Sequence, residues 1–542
     1  MSGSDQADQP LDAIVVGAGF AGLYMLHLLR SQGLAVRAYE AGSDVGGTWY
    51  WNKYPGARCD NESMDYCYSW DDALIQDWHW TERYASQVEI LNYLRHVADR
   101  FELRRSIQFD TRVDAARYSS VDGLWHITTD RGALVKARFC IMATGCLSAA
   151  RVPEFAGLDT FAGKTYVSGR WPDQRVDFSG QSVAVIGTGS SGIQMVPILA
   201  QRARHLYVFQ RTANYSVPAW NRPLDPELQA YRKANHAAHR RAARASATGY
   251  TGRINRASAL AVSPEERAAQ YETAWAQGGA VAMLVAYGDL LTDESANITA
   301  AEFVREKIRG LVSDPRKAEL LCPTDHPIGA KRMCVDTDYY ATFNRPNVSL
   351  LDLRTESIRR FTPAGIQTAS HEYRLDSVIF ATGFDAMTGA LLAINIEGRN
   401  GQHLRTVWAD GPQSYLGLQV AGFPNLFTIT GPGSPSVLGN VVVSIEQHVE
   451  WIAECISYLR AHGHWTIEAG AQAQEEWSAH VHDLASKTLF PKVKSWFTGA
   501  NIPGKPRVFM PYVGGVGRYA EICRDVAANA YRGFVLGGRA AS

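Results

Sequence analysis

The 542-residue sequence has no Cys-x-x-Cys spacing among its eight cysteines, which argues against a zinc site or a redox dithiol. It has no net charge, with 54 lysines and arginines against 54 aspartates and glutamates. There is thus no electrostatic case for nucleic acid or an anionic membrane as partner. No apolar run approaches the ~20 residues of a membrane-spanning helix. Met1 to Pro10 is polar, without the apolar region of an export signal. Reduced thiols, a cytoplasmic location, no membrane insertion and no resident metal are the expectations. What the sequence does have is length enough for two or three domains, and 14 tryptophans that favour large apolar pockets.

The chain is organised around Ala13-Ile14-Val15-Val16-Gly17-Ala18-Gly19-Phe20-Ala21-Gly22. Four apolar residues predict a buried parallel strand, and Ala21 to Ser31 has helical periodicity. Gly17 makes the tight turn, Gly19 lets backbone approach a pyrophosphate, and Gly22 lets helix pack on strand. The phosphates sit at the helix N-terminus, where unpaired N–H groups and the dipole favour anions. A second apolar run, Ala35 to Tyr39, ends in Glu40, 23 positions beyond Gly17 (40 − 17). There a carboxylate accepts the ribose hydroxyls. This stretch reads as the adenosine-diphosphate cradle of a tightly held FAD.

Gly46 to Asp60, rich in glycine and aromatics, predicts a long ordered loop of the functional kind. Ser86-Gln87-Val88-Glu89 reads as a capping box opening a helix. Ile107 to Phe109, Arg112 to Tyr118, Leu124 to Thr129 and Ala133 to Ala143 read as strands, ending in Ala143-Thr144-Gly145. A second cradle follows, Val183-Ala184-Val185-Ile186-Gly187-Thr188-Gly189-Ser190-Ser191-Gly192, with a helix to about Ala203. Its next strand, Leu206 to Phe209, leads to Arg211 and Thr212, and no carboxylate stands at the ribose position. Arg211 is there instead, 24 positions beyond Gly187 (211 − 187). A guanidinium binds a ribose 2′-phosphate that a carboxylate repels. One acidic and one basic fingerprint in one chain imply FAD and NADPH together.

From Leu224 to about Leu321 the pattern is helical and polar, an insert expected to cover a substrate site. Ser263-Pro264-Glu265-Glu266 supplies an N-cap serine with proline at the first helical position. Arg232 to Arg244, rich in arginine and histidine, reads as a solvated helix face. Strands are expected at Ser377 to Ala381 and Leu426 to Thr430, and an amphipathic helix over Val442 to Arg460, stopped at Gly463.

Gly46-Gly47-Thr48-Trp49, Tyr54-Pro55-Gly56 and Asp60 match one signature of the flavin-dependent Baeyer–Villiger monooxygenases of the two-dinucleotide type, which the chain resembles over nearly its whole length. It looks closest to phenylacetone and steroid monooxygenases, through Asn214 to Pro218, Ile328 to Arg332 and Gly499 to Gly504. A second signature, Phe-x-Gly-x-x-x-His-x-x-x-Trp-Pro, appears as Phe161, Gly163, Trp171 and Pro172 with Val167 at the histidine position. The resemblance implies an α/β fold of two dinucleotide-binding, Rossmann-like domains with a helical insert. FAD is expected on 1–150 and 385–542, NADPH on 151–213 and 327–384, and the insert over 214–326. NADPH would reduce FAD, and O₂ would add as a C4a-peroxide that turns a ketone, aryl, cyclic or polycyclic, into an ester or lactone.

By the same resemblance Arg332 is the active-site arginine and Asp60 the carboxylate that orients it. Gly47, Thr48, Trp49, Asp60 and Tyr66 join Phe20 and the first cradle around FAD. Lys331 and Arg211 take the 2′-phosphate, with Thr212 and Ser190 as donors, and Trp496 reaches the nicotinamide nucleotide. Ser436, Val437, Leu438 and Gly439 line the ketone pocket, where Gly439 is expected to leave room. A monomer is expected. Two alternatives stay open: a flavin N- or S-oxygenase, or, because of Val167, a non-oxygenating NADPH oxidase-like flavoprotein.

Overall fold

The computed structural model describes residues 9–252 and 254–538; most of the polar start, Met1 to Ala7 and Asp8, lies outside them. β1, Leu11–Val16, is the axis of the first sheet, and Ala13, Ile14 and Val15 are fully buried. An apolar run without alternation is what a strand covered on both faces requires. β2 (Val36–Tyr39) and β6 (Leu134–Met142) flank it in parallel, with β3 (Ile107–Gln108) outside β2. β4 (Val113–Ser119) and β5 (Leu124–Thr129) fold back antiparallel onto β6.

The next three strands, β7 (Lys164–Val167), β8 (Ser182–Ile186) and β9 (His205–Gln210), begin a second sheet. β10 (Ser216–Pro218) leaves it to pair with β11 (Cys334–Asp336). β12 (Val348–Asp352) returns, β13 (Ile358–Thr362), β14 (Gly365–Thr368) and β15 (Glu372–Arg374) form an antiparallel meander, and β16 (Ser377–Phe380) completes the sheet. Its order is β12-β9-β8-β16-β7, parallel throughout. β17 (Asn395–Glu397) and β18 (Leu426–Thr428) then rejoin the first sheet beside β4 and β6, so that sheet is built from both ends of the chain.

Between β10 and β11 the insert is helical, with Pro226–Ala234, His236–Ala245, Pro264–Gln277 and Glu294–Leu311 as its longer helices. Ser263 caps the third, accepting from Glu266 N at 3.2 Å, with Pro264 as its first residue. Two local readings need correction. Ser86 caps the helix Gln87–Arg100 through Glu89 N, but the Glu89 carboxylate accepts from Thr81 N at 2.7 Å, so the box is not reciprocal. The arginine- and histidine-rich stretch is not a free solvated face. Arg232 and His239 both reach Asp65 (2.6 and 2.9 Å), His236 reaches Asp72 (3.0 Å), and Arg244 reaches Glu446 and Glu450. Among the described residues no helix is long and apolar enough to cross a membrane, no acidic, histidine or cysteine cluster suits a metal, and all eight cysteines are free.

Candidate active site

The two cradles repeat one construction. Gly17 takes φ +106°, and a Cβ there would lie 2.6 Å from the Ala143 carbonyl oxygen; Gly187 takes φ +113°, and its Cβ would lie 2.4 Å from that of Ala381. Each glycine therefore packs against the first residue of an Ala-Thr-Gly turn that ends the neighbouring strand. Gly22 and Gly192 serve the helix, since a Cβ would fall 1.9 Å and 2.2 Å from the carbonyls of Gly17 and Gly187. Open space faces Gly189. Neither helix has a side-chain cap or an acid in its first turn, so its leading N–H groups point at whatever anion fills the cradle.

Glu40 is buried, accepting from Ala18 N and Gly42 N, both at 2.8 Å. The signature loop folds over this cradle. A Cβ on Gly47 would meet Gly19 Cα at 2.9 Å, Thr48 and Trp49 start a short helix, and Trp49 Nε1 donates to the Tyr66 hydroxyl at 3.3 Å, beside the Phe20 ring. These features fit a flavin dinucleotide in the first cradle and a second dinucleotide in the other.

The signature loop also reaches the second unit. Tyr54 OH donates to Gln194 Oε1 at 2.8 Å, and Gln194 Nε2 donates to Arg58 O at 3.0 Å. Gln194 lies on the helix of the second cradle, a connection that no spacing in the sequence announces. Close by, Arg332 Nε and Nη2 both donate to Asp60 Oδ2, at 3.1 and 2.7 Å, and Nη1 donates to Val437 O at 2.9 Å. The Asp60 carboxylate holds the guanidinium firmly protonated. Among the described residues three of its five N–H groups are engaged, and 32% of the side chain remains open. Lys331, next in sequence, lies 3.7 Å from Asp325. Arg211 is exposed at the end of β9, and Thr188 Oγ1 donates to Thr212 O at 2.8 Å. Ser190 Oγ stands 3.2 Å from Cys334 Sγ, and Ser191 follows it in the first turn of the same helix.

A model of the flavin-binding monooxygenase-like family matches residues 12–222. A solved structure of an oxidized steroid monooxygenase bound to NADP is 52% identical, with a TM-score of 0.94, over 98% of this chain and 100% of that one. A Baeyer–Villiger monooxygenase of Pseudooceanicola batsensis is 44% identical over 97% of this chain and 96% of its own. The chain belongs to the type I Baeyer–Villiger monooxygenases. A phenazine N-monooxygenase of Lysobacter antibioticus is also similar, 43% identical over 97% of both chains.

Within this family fold, Val167 ends β7 opposite Phe380 and packs into an apolar cluster with Phe155, Phe361 and Phe380, so the valine is housed without an unmet polar group. The loop expected to line the ketone pocket is a turn of 3₁₀ helix over Ser436–Leu438. Val437, Leu438 and Trp496 share one apolar cluster with Met387 and Phe497. Gly439 does not leave room. Its missing Cβ would lie 2.6 Å from Thr248 O, because the insert lays a strap over this loop. Asn440 N donates to Thr248 O at 2.9 Å, and Val516 N and Gly517 N donate to Ala247 O and Ser246 O, both at 2.9 Å. Burial pushes up the pKa of Tyr250, at the end of the strap, and the Asp60 carboxylate nearby raises it further. Sequence reasoning named no residue of this strap.

His448 was missed as well. It is fully buried on the helix Val441–Ala461 and accepts from Thr430 N at 3.0 Å, where the chain leaves β18 with φ +58°. Burial pushes its pKa down from 6.5 to about 3. The folded state therefore binds fewer protons than the unfolded state between these values, and stability falls as pH drops below 6.5, by about 2 kcal/mol at pH 5. His448→Gln keeps an acceptor without the titration. Its thermal midpoint is expected to decline less between pH 7 and pH 5 than the parent's; an acid limb of equal steepness excludes His448 as the source.

Proposed function

We propose that this chain uses NADPH and O₂ to convert ketones, with aryl, cyclic or polycyclic ones favoured, to esters or lactones. The observation that carries the reading is Arg332, pinned by Asp60 and the Val437 carbonyl, with part of its side chain still open. Bound FAD supplies the electron transfer from NADPH and the activation of O₂. Gly17, Gly19, Gly22, Glu40 and the Gly47–Trp49 turn hold it, with 1–150 and 385–542 as its domain. Gly187, Gly189, Gly192, Arg211 and Lys331 hold NADPH, with 151–213 and 327–384 as its domain. The insert, 214–326, covers the pocket. Arg332 stabilises negative charge that develops in the site, and the apolar cluster around Val437 and Trp496 excludes water.

Incubation with phenylacetone, NADPH and air, followed by product analysis, tests this. Ester is the expected product. Peroxide alone means a non-oxygenating flavoprotein. The phenazine N-monooxygenase relative supports a second reading, oxygenation of nitrogen. A heteroaromatic amine turned over to its N-oxide, with no ester from any ketone, selects it.

A further inference from the structure

Lys331 has a partner that the nucleotide reading does not use. Asp325 Oδ2 lies 3.7 Å from its ammonium, a long contact, while Asp325 Oδ1 accepts from His326 Nδ1 at 2.6 Å. His326 is only 5% exposed and its ring packs edge-on against Tyr215, so the carboxylate is tethered to a fixed imidazole. That Nδ1–H tautomer leaves Nε2 as an acceptor, and no partner reaches it among the described residues. Burial holds the ring below its usual pKa, so it donates as a neutral group and adds no charge of its own near neutral pH.

The charges facing this space are few. Arg211 and Lys331 repel each other, and Asp325 offsets that repulsion. Arg354 lies within reach of the same carboxylate, but its guanidinium is already spent on Asp352 at 2.9 Å. Arg211, Lys331 and Asp325 together carry a net charge of about +1, with Arg151 beside Arg211 adding a cation from beyond, toward a phosphate that carries nearly −2 at neutral pH. The Asp325 side chain is half-exposed, so it is placed to meet an incoming anion rather than to stiffen the core.

We propose that Asp325 competes with the nucleotide 2′-phosphate for Lys331 and so sets how tightly the site grips NADPH and releases NADP⁺. This rests on the reading that Lys331 and Arg211 take that phosphate. A nucleotide arriving with a 2′-phosphate replaces a long, solvent-screened carboxylate contact by a charge-assisted one. A nucleotide without it leaves Lys331 on Asp325, so the carboxylate acts on one substituent only.

The test is calorimetric binding of 2′,5′-ADP and of 5′-ADP to the FAD-loaded protein. Asp325→Asn keeps an oxygen for His326 and removes the charge. It is expected to bind 2′,5′-ADP about tenfold more tightly with 5′-ADP unchanged. Asp325→Ser, which lacks the amide, must show the same gain; a gain confined to asparagine overturns the charge argument. In a Lys331→Ala background the gain is expected to vanish, since the two residues act on each other. If Lys331→Ala weakens 2′,5′-ADP but Asp325→Asn leaves it unchanged or weaker, the competition is wrong and the phosphate site stands. If Lys331→Ala and Arg211→Ala both leave 2′,5′-ADP untouched, the phosphate reading itself fails.

Discussion

Arg332→Ala is expected to retain FAD, consume NADPH and make no ester. Among the described residues the guanidinium is the one cation held by the signature carboxylate, and its hydrogen bonds go to Asp60 and Val437 rather than to either glycine cradle, so its removal leaves the cradles intact. A unit charge ~4 Å from an anionic oxygen, at an effective dielectric of ~20, is worth roughly 4 kcal/mol. Lost from a transition state, that amounts to about three orders of magnitude in rate. Electrons drawn from NADPH then leave as hydrogen peroxide. Lysine recovers little, since its ammonium cannot span Asp60 Oδ2 and Val437 O as the planar fork does. Asp60→Ala gives a milder form of the defect, and the double variant is expected to be no worse than Arg332→Ala, as for residues that act as one unit. Ester, peroxide and NADPH measured together decide it. Ester from Arg332→Ala at near the parent rate removes charge stabilisation as the role of this residue.

The cradles were legible because their signals are local. An apolar run, three glycines at fixed spacing and a charged residue at the next strand end specify strand, turn, helix and ribose contact within about 25 residues. Glu40 and Arg211 stand at the expected strand ends for that reason, and the strand boundaries fell within a residue or two. The capping box failed because Thr81 N, eight residues upstream in the preceding loop, takes the Glu89 carboxylate. Gly439 was read from its size as room, whereas its hydrogen faces the Thr248 carbonyl across 191 residues of chain (439 − 248). The basic stretch was read as solvated because its partners Asp65, Asp72, Glu446 and Glu450 lie far away in sequence. Periodicity identifies a helix and its polar face. It cannot say what that face meets.

Arg244 is where that blindness has its largest consequence. Its Nη1 and Nη2 grip Glu450 at 2.8 and 2.7 Å, and Nη2 also reaches Glu446 at 3.0 Å. Glu446 is fully buried and further held by Ser69 N and Ser69 Oγ at 2.5 and 2.6 Å, while Tyr24 OH donates to Glu450 at 3.2 Å. The two carboxylates sit four residues apart on one helix face, so without the arginine they repel across a desolvated gap. Arg244→Ala strands a buried charge, at a cost of about 3–5 kcal/mol. A clear drop in thermal midpoint is expected, with Arg244→Lys recovering part of it and Arg244→Ala/Glu446→Gln recovering more, because a neutral amide no longer repels Glu450. The strap begins two residues after Arg244, and Asn440 N hangs on Thr248 O. Loosening the anchor should therefore shift the ratio of kcat/KM between bulky and small ketones, even at temperatures where the protein is fully folded. Arg244→Ala/Glu446→Gln separates the two effects, since it recovers stability without restoring the anchor. If that double variant regains both the midpoint and the parent's ketone ranking, Arg244 serves stability alone and the strap does not need it to shape the pocket.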